Sequence, residues 1–325
     1  MAGRVFASLL FAAVLMLAPS ARAEWLSEEQ SVMGTVARVE LWTDSRKLGE
    51  ATIAEVVAEM QRIDHLMSTY KEDSEISRIN RLAASEPVTI SAELLQLLVR
   101  SLRMSEITDG AFDITYASAG HLYDFRRKVK PSADALAATL PTIDYRHVVL
   151  DQANNSVRFL RPGVRIDLGG IAKGHAVDRA IALLQARGIK HALVSAGGDS
   201  RIIGDHRGRP WMVGIRDPRQ KEDVVAVVPL SNTAISTSGD YERYFEVNGV
   251  RYHHIINPDS GQPVRGIRSV TVVGPDSTTM DALSTSVFVM GIKRGLALVE
   301  SLPDVEAVIV DADGKMHYSS GFMGR

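Results

Sequence analysis

Not one of the 325 residues is cysteine. No disulfide or thiolate metal site can staple this chain, and no iron–sulfur cluster or cysteine nucleophile is available to it. A packed apolar core has to hold the fold. With 45% of positions hydrophobic and 23% charged, the composition is that of an ordinary globular protein, which excludes collagen-like, coiled-coil and disordered classes. Any chemistry must use oxygen and imidazole ligands, hydroxyls, lysine or a bound cofactor. Lysine plus arginine is 37 and aspartate plus glutamate 39. A chain so near neutrality lacks the positive excess of a generic nucleic-acid binder, so no nucleic-acid partner is expected.

The first 23 residues read as an address. Arg4 precedes an apolar run from Val5 to Ala18, Pro19-Ser20 breaks it, and Ala21-Arg22-Ala23 is an A-x-A cleavage site. This is the pattern of a Sec-type signal peptide, and the run is short for a membrane span. An uncleaved anchor is the alternative. The division expected is 1–23 signal peptide and 24–325 a single domain, exported and soluble from Glu24. A lipid anchor on cysteine is excluded. No second long apolar run is read after the first.

The remainder reads as one α+β unit. Ser31–Trp42 alternates as a strand, and Ile53, Val56, Val57, Met60, Ile63 and Met67 recur at helical spacing over 47–67. Ser91 opens a second helix carrying Leu94, Leu95, Leu98 and Leu102. Val148–Phe159 reads as a hairpin about Asn154-Asn155, and Val164–Leu168 as a short strand. A helix over 171–187 ends at Gly188. Further strands are expected at 191–195, between 211 and 273, at 305–310 and after Asp313-Gly314, with a helix over 278–290. Strands and helices do not alternate strictly, so a doubly wound sheet is not expected. Pro131–Pro141 is a candidate subdomain junction.

Three segments carry the chemistry. In Asp167-Leu-Gly-Gly170-Ile-Ala-Lys173-Gly a strand runs through a glycine turn into a helix, whose free amides and positive dipole end suit a phosphate. It is neither a Walker A loop nor G-x-G-x-x-G, and a plain structural corner is the alternative. Asp281 and Thr285 lie four apart on one helix face, a carboxylate and a hydroxyl suited to Mg²⁺. The alternative is a cap, because Thr278-x-x-Asp281 approximates a capping box. His253-His254 leads into Asn-Pro-Asp-Ser-Gly261. Neighbouring strand residues face opposite ways, so one of the two reaches a given site, unless both are surface residues. Tyr70, Gly110-Ala-Phe-Asp113 and Ser236-Thr-Ser-Gly-Asp240 are softer signals, each equally readable as structural.

In order, Met33-Gly34-Thr35, MSTYKEDSEISRIN (67–80), GAFDIT (110–115), DLGGIAKGHAVDRA (167–180), SAGGD (195–199), PWMVGIRDP (210–218), AISTSGDYERYF (234–245), HHIINPDSGQP (253–263) and MDALSTSVFVMG (280–291) resemble the ApbE family of FAD:protein FMN transferases. The resemblance spans nearly all of the chain after the address. It implies a compact T-fold-like α+β domain and a periplasmic location. It implies that FAD is split at its pyrophosphate and that FMN passes to a Thr or Ser hydroxyl of an acceptor protein, with AMP leaving. The acceptor would carry a D-x-x-[ST]-G-A-[ST] type motif, such as a membrane-bound flavoprotein redox subunit. By family pattern Gly170, Asp281 and Thr285 hold Mg²⁺, with Mn²⁺ a second candidate ion. Met33, Tyr70, Ala111, Phe112, Asp113, Asp167 and Ile255 sit where the family contacts FAD, and Lys173 faces a phosphate. His254, rather than His253, is the candidate base, and Asp281 is counted with it as catalytic. Two rival readings use the same scaffold: a flavin-binding protein without catalysis, and hydrolysis of FAD to FMN and AMP.

Overall fold

A computed structural model describes residues 23–220 and 223–322. The predicted signal peptide therefore lies, apart from Ala23, outside the described residues. Eight strands form one sheet: β1 (Glu24–Val32), β2 (Thr35–Thr43), β3 (Ala192–Ala196), β4 (Asp199–Ile203), β5 (Ala234–Gly239), β6 (Ile267–Gly274), β7 (Glu306–Asp311) and β8 (Met316–Tyr318). Their order across the sheet is their order in the chain, and every neighbouring pair is antiparallel. Three helices, α1 (Arg46–Met67), α2 (Ala172–Ala186) and α3 (Ser277–Glu300), are the long insertions that cover one face, with α2 between the other two.

Strand alternation divides the core. Ala234, Val272 and Ile309 pack with the helices, whereas their chain neighbours Ile235, Val273 and Val308 pack on the opposite face. There they meet Trp211, Ile215, Val228 and Leu230 of a two-stranded hairpin, Trp211–Arg216 with Val224–Leu230. A ribbon, Tyr244–Val247 with Val250–His253, packs Phe245 against Tyr123 and Ile256. Helix α1 buries Ile53, Val56, Met60, Ile63 and Met67 on one side, each contributing roughly 1.5–3 kcal/mol. The single α+β domain expected from the pattern is the one observed.

Three expectations need correction. Ser31–Trp42 is the middle of a hairpin rather than one strand: β1 and β2 pair from Val32↔Thr35 outwards, and the two-residue turn has φ 53° at Met33 and 71° at Gly34. Both left-handed values are those of a type I′ turn. Val164–Leu168 pairs with no strand. Its amides are met singly, Ile166 N–H by Asn80 Oδ1 at 2.8 Å, Arg165 N–H by Ser118 Oγ at 2.9 Å and Asp167 N–H by Ile114 O at 3.0 Å. The helix expected to stop at Met290 breaks there, at Gly291 with φ 75°, and then resumes to Glu300. So extended, α3 is long and apolar enough to cross a membrane, which the sequence reading did not register. It packs instead against β5, β6 and α2. The Pro131–Pro141 stretch carries a short helix, Ala133–Thr139.

Candidate active site

The N-terminal ends of α2 and α3 meet, and glycine makes the contact. A Cβ on Gly174 would lie 2.2 Å from the Ser277 carbonyl oxygen and 2.9 Å from Asp281 Cβ. Nothing larger fits. Ile171, at the N-cap of α2, offers no side-chain acceptor, and Asp281 supplies one: Gly174 N–H donates to Oδ2 at 3.0 Å. Asp281 is not the cap of its own helix. That position is Asp276, which accepts Thr279 N–H at 2.9 Å, while Asp178 accepts the amides of Ser277 and Thr278. Asp281 therefore does not cap its own helix, but it serves α2 as a side-chain cap. Its carboxylate is buried within the first turns of α3, turned toward α2.

Lys173 occupies the space between two buried acids. Its Nζ is 3.1 Å from each oxygen of Asp281, 2.8 Å from Asp199 Oδ2 and 3.1 Å from the Gly169 carbonyl. Burial and the Asp199 charge push the Asp281 carboxyl up to about 7, against the pull of Lys173. Burial opposes the charge on Lys173 too, but the two carboxylates outweigh it and hold the ammonium above its ordinary value. The expected phosphate-facing lysine is thus engaged with carboxylates, because a buried acid pair attracts the cation in reach. The other Asp199 oxygen accepts the Ser236 hydroxyl. From there a hydroxyl chain runs through Ser284, 3.1 Å from Ser236 and 2.8 Å from Ser238, to Thr285, whose Oγ1 is 3.3 Å from Ser238.

Gly170 closes this floor. A Cβ there would lie 3.3 Å from both Thr285 Oγ1 and Phe112 Cε2. Gly170, Thr285 and Phe112 are therefore brought together, with Asp281 one turn before Thr285 on α3. Among the described residues, no group of three or more His, Cys, Asp or Glu forms a metal cluster, so a cation here would rest on few carboxylates plus hydroxyl and carbonyl oxygens.

On one side Asp167 is locked in place: Oδ1 accepts Gly169 N–H at 2.7 Å and the Tyr116 hydroxyl at 3.2 Å, and Oδ2 accepts Thr69 Oγ1 at 2.8 Å. Tyr70 follows, 75% exposed, its hydroxyl accepting from Arg243 Nη1 at 3.2 Å and its ring 6.0 Å from that guanidinium. A Cβ on Gly34 would lie 3.8 Å from Arg243 Nη2. The Met33-Gly34 turn, Arg243 and Tyr70 thus form one mouth, and the turn itself borders a depression of about 530 Å³.

Three residues expected at FAD are buried. Asp113 caps the short helix Ile114–Tyr116, taking Thr115 N–H at 2.7 Å and Thr115 Oγ1 at 2.6 Å, while Oδ2 takes Tyr145 N–H at 2.8 Å. Burial raises its carboxyl to about 6 despite these donors. Ile255 is in the core, and Ala111 is buried beside Phe112. The two histidines separate. His253 is buried, with Nε2 2.8 Å from the Val264 carbonyl, Nδ1 accepting Ile255 N–H at 3.3 Å, and its ring against Phe288. His254 is half-buried, and its Nδ1 has no hydrogen-bond partner. Burial, then the charge of Arg243, hold it down to about 3, so the ring is neutral. Sequence reasoning gave no role to Asp199, Arg243 or Ser284, and noted Ser236 and Ser238 only within a soft hydroxyl-rich signal. Asp199 follows two glycines at a strand end, which was a visible signal.

A profile of the ApbE family matches residues 33–309. A FAD:protein FMN transferase of Treponema pallidum is 35% identical, the match covering 94% of this chain and 90% of that protein. The crystal structure of the ApbE protein of Thermotoga maritima superposes with a TM-score of 0.86 at 38% identity, over 92% of this chain and 98% of that one. The flavin transferase ApbE of Vibrio cholerae does so with a TM-score of 0.83 at 31% identity, over 93% and 99%.

Proposed function

The chain belongs to the ApbE family and is a FAD:protein FMN transferase, and from that premise we propose that it moves FMN from FAD to a Thr or Ser hydroxyl, with Mg²⁺, releasing AMP. The observation that carries the proposal is the pair of buried acids sharing one ammonium beside Gly170 and Thr285. Mg²⁺ is ordinarily held by one or two carboxylates, the remaining positions going to water and phosphate oxygens. Asp281, the Thr285 hydroxyl and the Gly170 carbonyl would hold it, and the residues fit: a buried carboxylate short of positive charge, and a cradle at Gly170 that a Cβ would fill. When bound, the ion supplies charge neutralisation of the pyrophosphate.

The chain's own groups do the rest. Tyr70 and Arg243 offer a flat ring and a guanidinium at the mouth, for stacking and for an anion. Lys173, released from Asp281 by a competing cation, is a point charge for a phosphate oxygen. The acceptor hydroxyl oxygen bonds to the FMN-side phosphorus, the bond from that phosphorus to the AMP phosphate oxygen breaks, and the hydroxyl proton passes to His254. The imidazole starts neutral, as a base must, and a nearby polyphosphate would strengthen it as a base.

The test is to incubate the purified protein with FAD, Mg²⁺ and a peptide carrying the D-x-x-[ST]-G-A-[ST] motif. A mass gain of one FMN on a Ser or Thr is expected. Free FMN with an unmodified peptide would mean hydrolysis instead. We also place the mature protein in the periplasm, cut after Ala23 so that it begins with β1. N-terminal sequencing of exported material should read from Glu24, and a start at Met1 would contradict the cleavage.

A further inference from the structure

Behind the ribbon that leads to His254 lies a second concavity, of about 610 Å³. His253 lines it, whereas His254, the next residue, has its backbone held by the Arg243 carbonyl at the mouth described above. The lining of this concavity is thus one residue away, along the chain, from the residue held at the Arg243 mouth. The charged lining is Arg219, Arg251, Arg265 and Arg268 against Asp240 and Glu246, which leaves positive charge in excess. Arg219 and Asp240 form a two-pronged pair at 2.7 and 2.8 Å, and Arg251 is shared between Asp240 at 3.3 Å and Glu246 at 3.1 Å. The other two are uncommitted. Among the described residues, neither Arg265 nor Arg268 has a carboxylate at salt-bridge distance. Arg265 donates to the Arg251 carbonyl at 2.7 Å. Arg268 donates to the Ala312 carbonyl, and its Nε is buried without a partner.

A buried donor atom without a partner is costly unless a ligand meets it, and two guanidiniums without a carboxylate partner over one opening match carboxylates in geometry. A protein-modifying enzyme must also hold its protein substrate at more than the reacting hydroxyl. We propose that this concavity binds an acidic segment of the acceptor protein, docking it beside the transfer site. The inference rests on the transfer reading for the nature of its ligand.

Two measurements test it separately from that reading. The first is fluorescence anisotropy of a labelled oligoglutamate peptide, with oligoglutamine as control. The wild-type protein should bind the glutamate peptide alone, and Arg265→Glu should not bind it. Binding should also vanish in about 1 M salt, where screening acts within ~3 Å. The second uses two acceptor peptides with the same reacting segment and either Glu-rich or Gln-rich flanks. The Glu-rich peptide should have a KM lower by roughly fivefold to tenfold, as a few exposed ion pairs allow. Arg265→Glu and the milder Arg265→Gln should abolish the difference without changing kcat or the KM for FAD. Equal KM values in the wild type, or a preference that survives both substitutions, would overturn the proposal. If neither peptide received FMN, the transfer reading would fail, and the anisotropy result would still decide whether the concavity takes acidic peptides.

Discussion

Lys173 holds its ammonium 3.1 Å from both carboxylate oxygens of Asp281 while standing 2.8 Å from Asp199. One lysine therefore balances two buried acids from different elements, α3 and β4, and does so from the first turn of α2. If Asp281 holds a divalent cation as proposed, its oxygens would be shared between that ion and this lysine. Under the proposed reading, loss of the Asp281 contact would leave Lys173 held by Asp199 and the Gly169 carbonyl, with its charge available to a phosphate oxygen.

Tyr70 is the residue whose exposure is hardest to account for without a ligand. If its ring stacks on a flat base, Tyr70→Ala should weaken FAD binding by about threefold to tenfold, from the ~0.5–1.5 kcal/mol of an aromatic pair. Tyr70→Phe should bind nearly as well as the wild type. Flavin fluorescence quenching reads both. Equal losses would assign the effect to the hydroxyl that accepts from Arg243.

Asp113 separates a structural from a ligand-binding carboxylate. Asp113→Ala strands the Thr115 and Tyr145 amides that it now accepts. Stability should fall by about 1–3 kcal/mol, the cost of unsatisfied buried donors, with kcat for transfer retained at saturating FAD. Urea unfolding beside a FAD titration checks it. A raised KM for FAD at unchanged stability would return Asp113 to the flavin site.

Most elements were legible where periodicity and turn chemistry agree. Helix α1 starts one residue before the expected position, at Arg46, and stops at Met67, and the Asn154-Asn155 turn joins two paired strands, with Asn155 at φ 46°. The β1–β2 turn was hidden because Met33 is a poor turn residue, although the buried positions change parity across it, from Leu26 and Val32 to Ala37, Val39 and Leu41. The Val164–Leu168 segment has a strand's apolar pattern, but its amides go to Asn80 and Ser118, far away in sequence, which no local signal reports. At the site, Gly170, Asp281 and Thr285 could be grouped by family pattern. The role of Asp199 could not, because it depends on Lys173 reaching it from α2, a distance fixed by how that helix packs on β4.

Charge at Asp281 predicts a pH signature in the metal-free protein. A carboxyl raised from 3.8 to about 7 in the folded state keeps a proton the unfolded chain has already lost. Its contribution to stability is complete below about pH 4 and is lost as pH rises toward about 7. Asp113, raised to about 6, acts in the same direction and His254, held down to about 3, in the opposite one, so the total profile mixes several groups. The difference in Tm between wild type and Asp281→Asn, measured in a chelator, isolates the carboxyl. That difference should shift against the wild type as pH increases from about 4 to 7. A difference independent of pH would contradict the buried-acid description.

The central claim is that Asp281 holds the catalytic cation. Asparagine keeps the size and one oxygen but removes the charge, leaving neutral oxygens that compete poorly with water for Mg²⁺. The decisive measurement is the initial rate of FMN attachment to an acceptor peptide, followed by mass spectrometry, for wild type and a folded Asp281→Asn at low millimolar Mg²⁺. A loss of several kcal/mol in transition-state stabilisation corresponds to a rate lower by about a thousandfold or more, and that is the result expected. Transfer by Asp281→Asn at a rate near wild type would contradict the account.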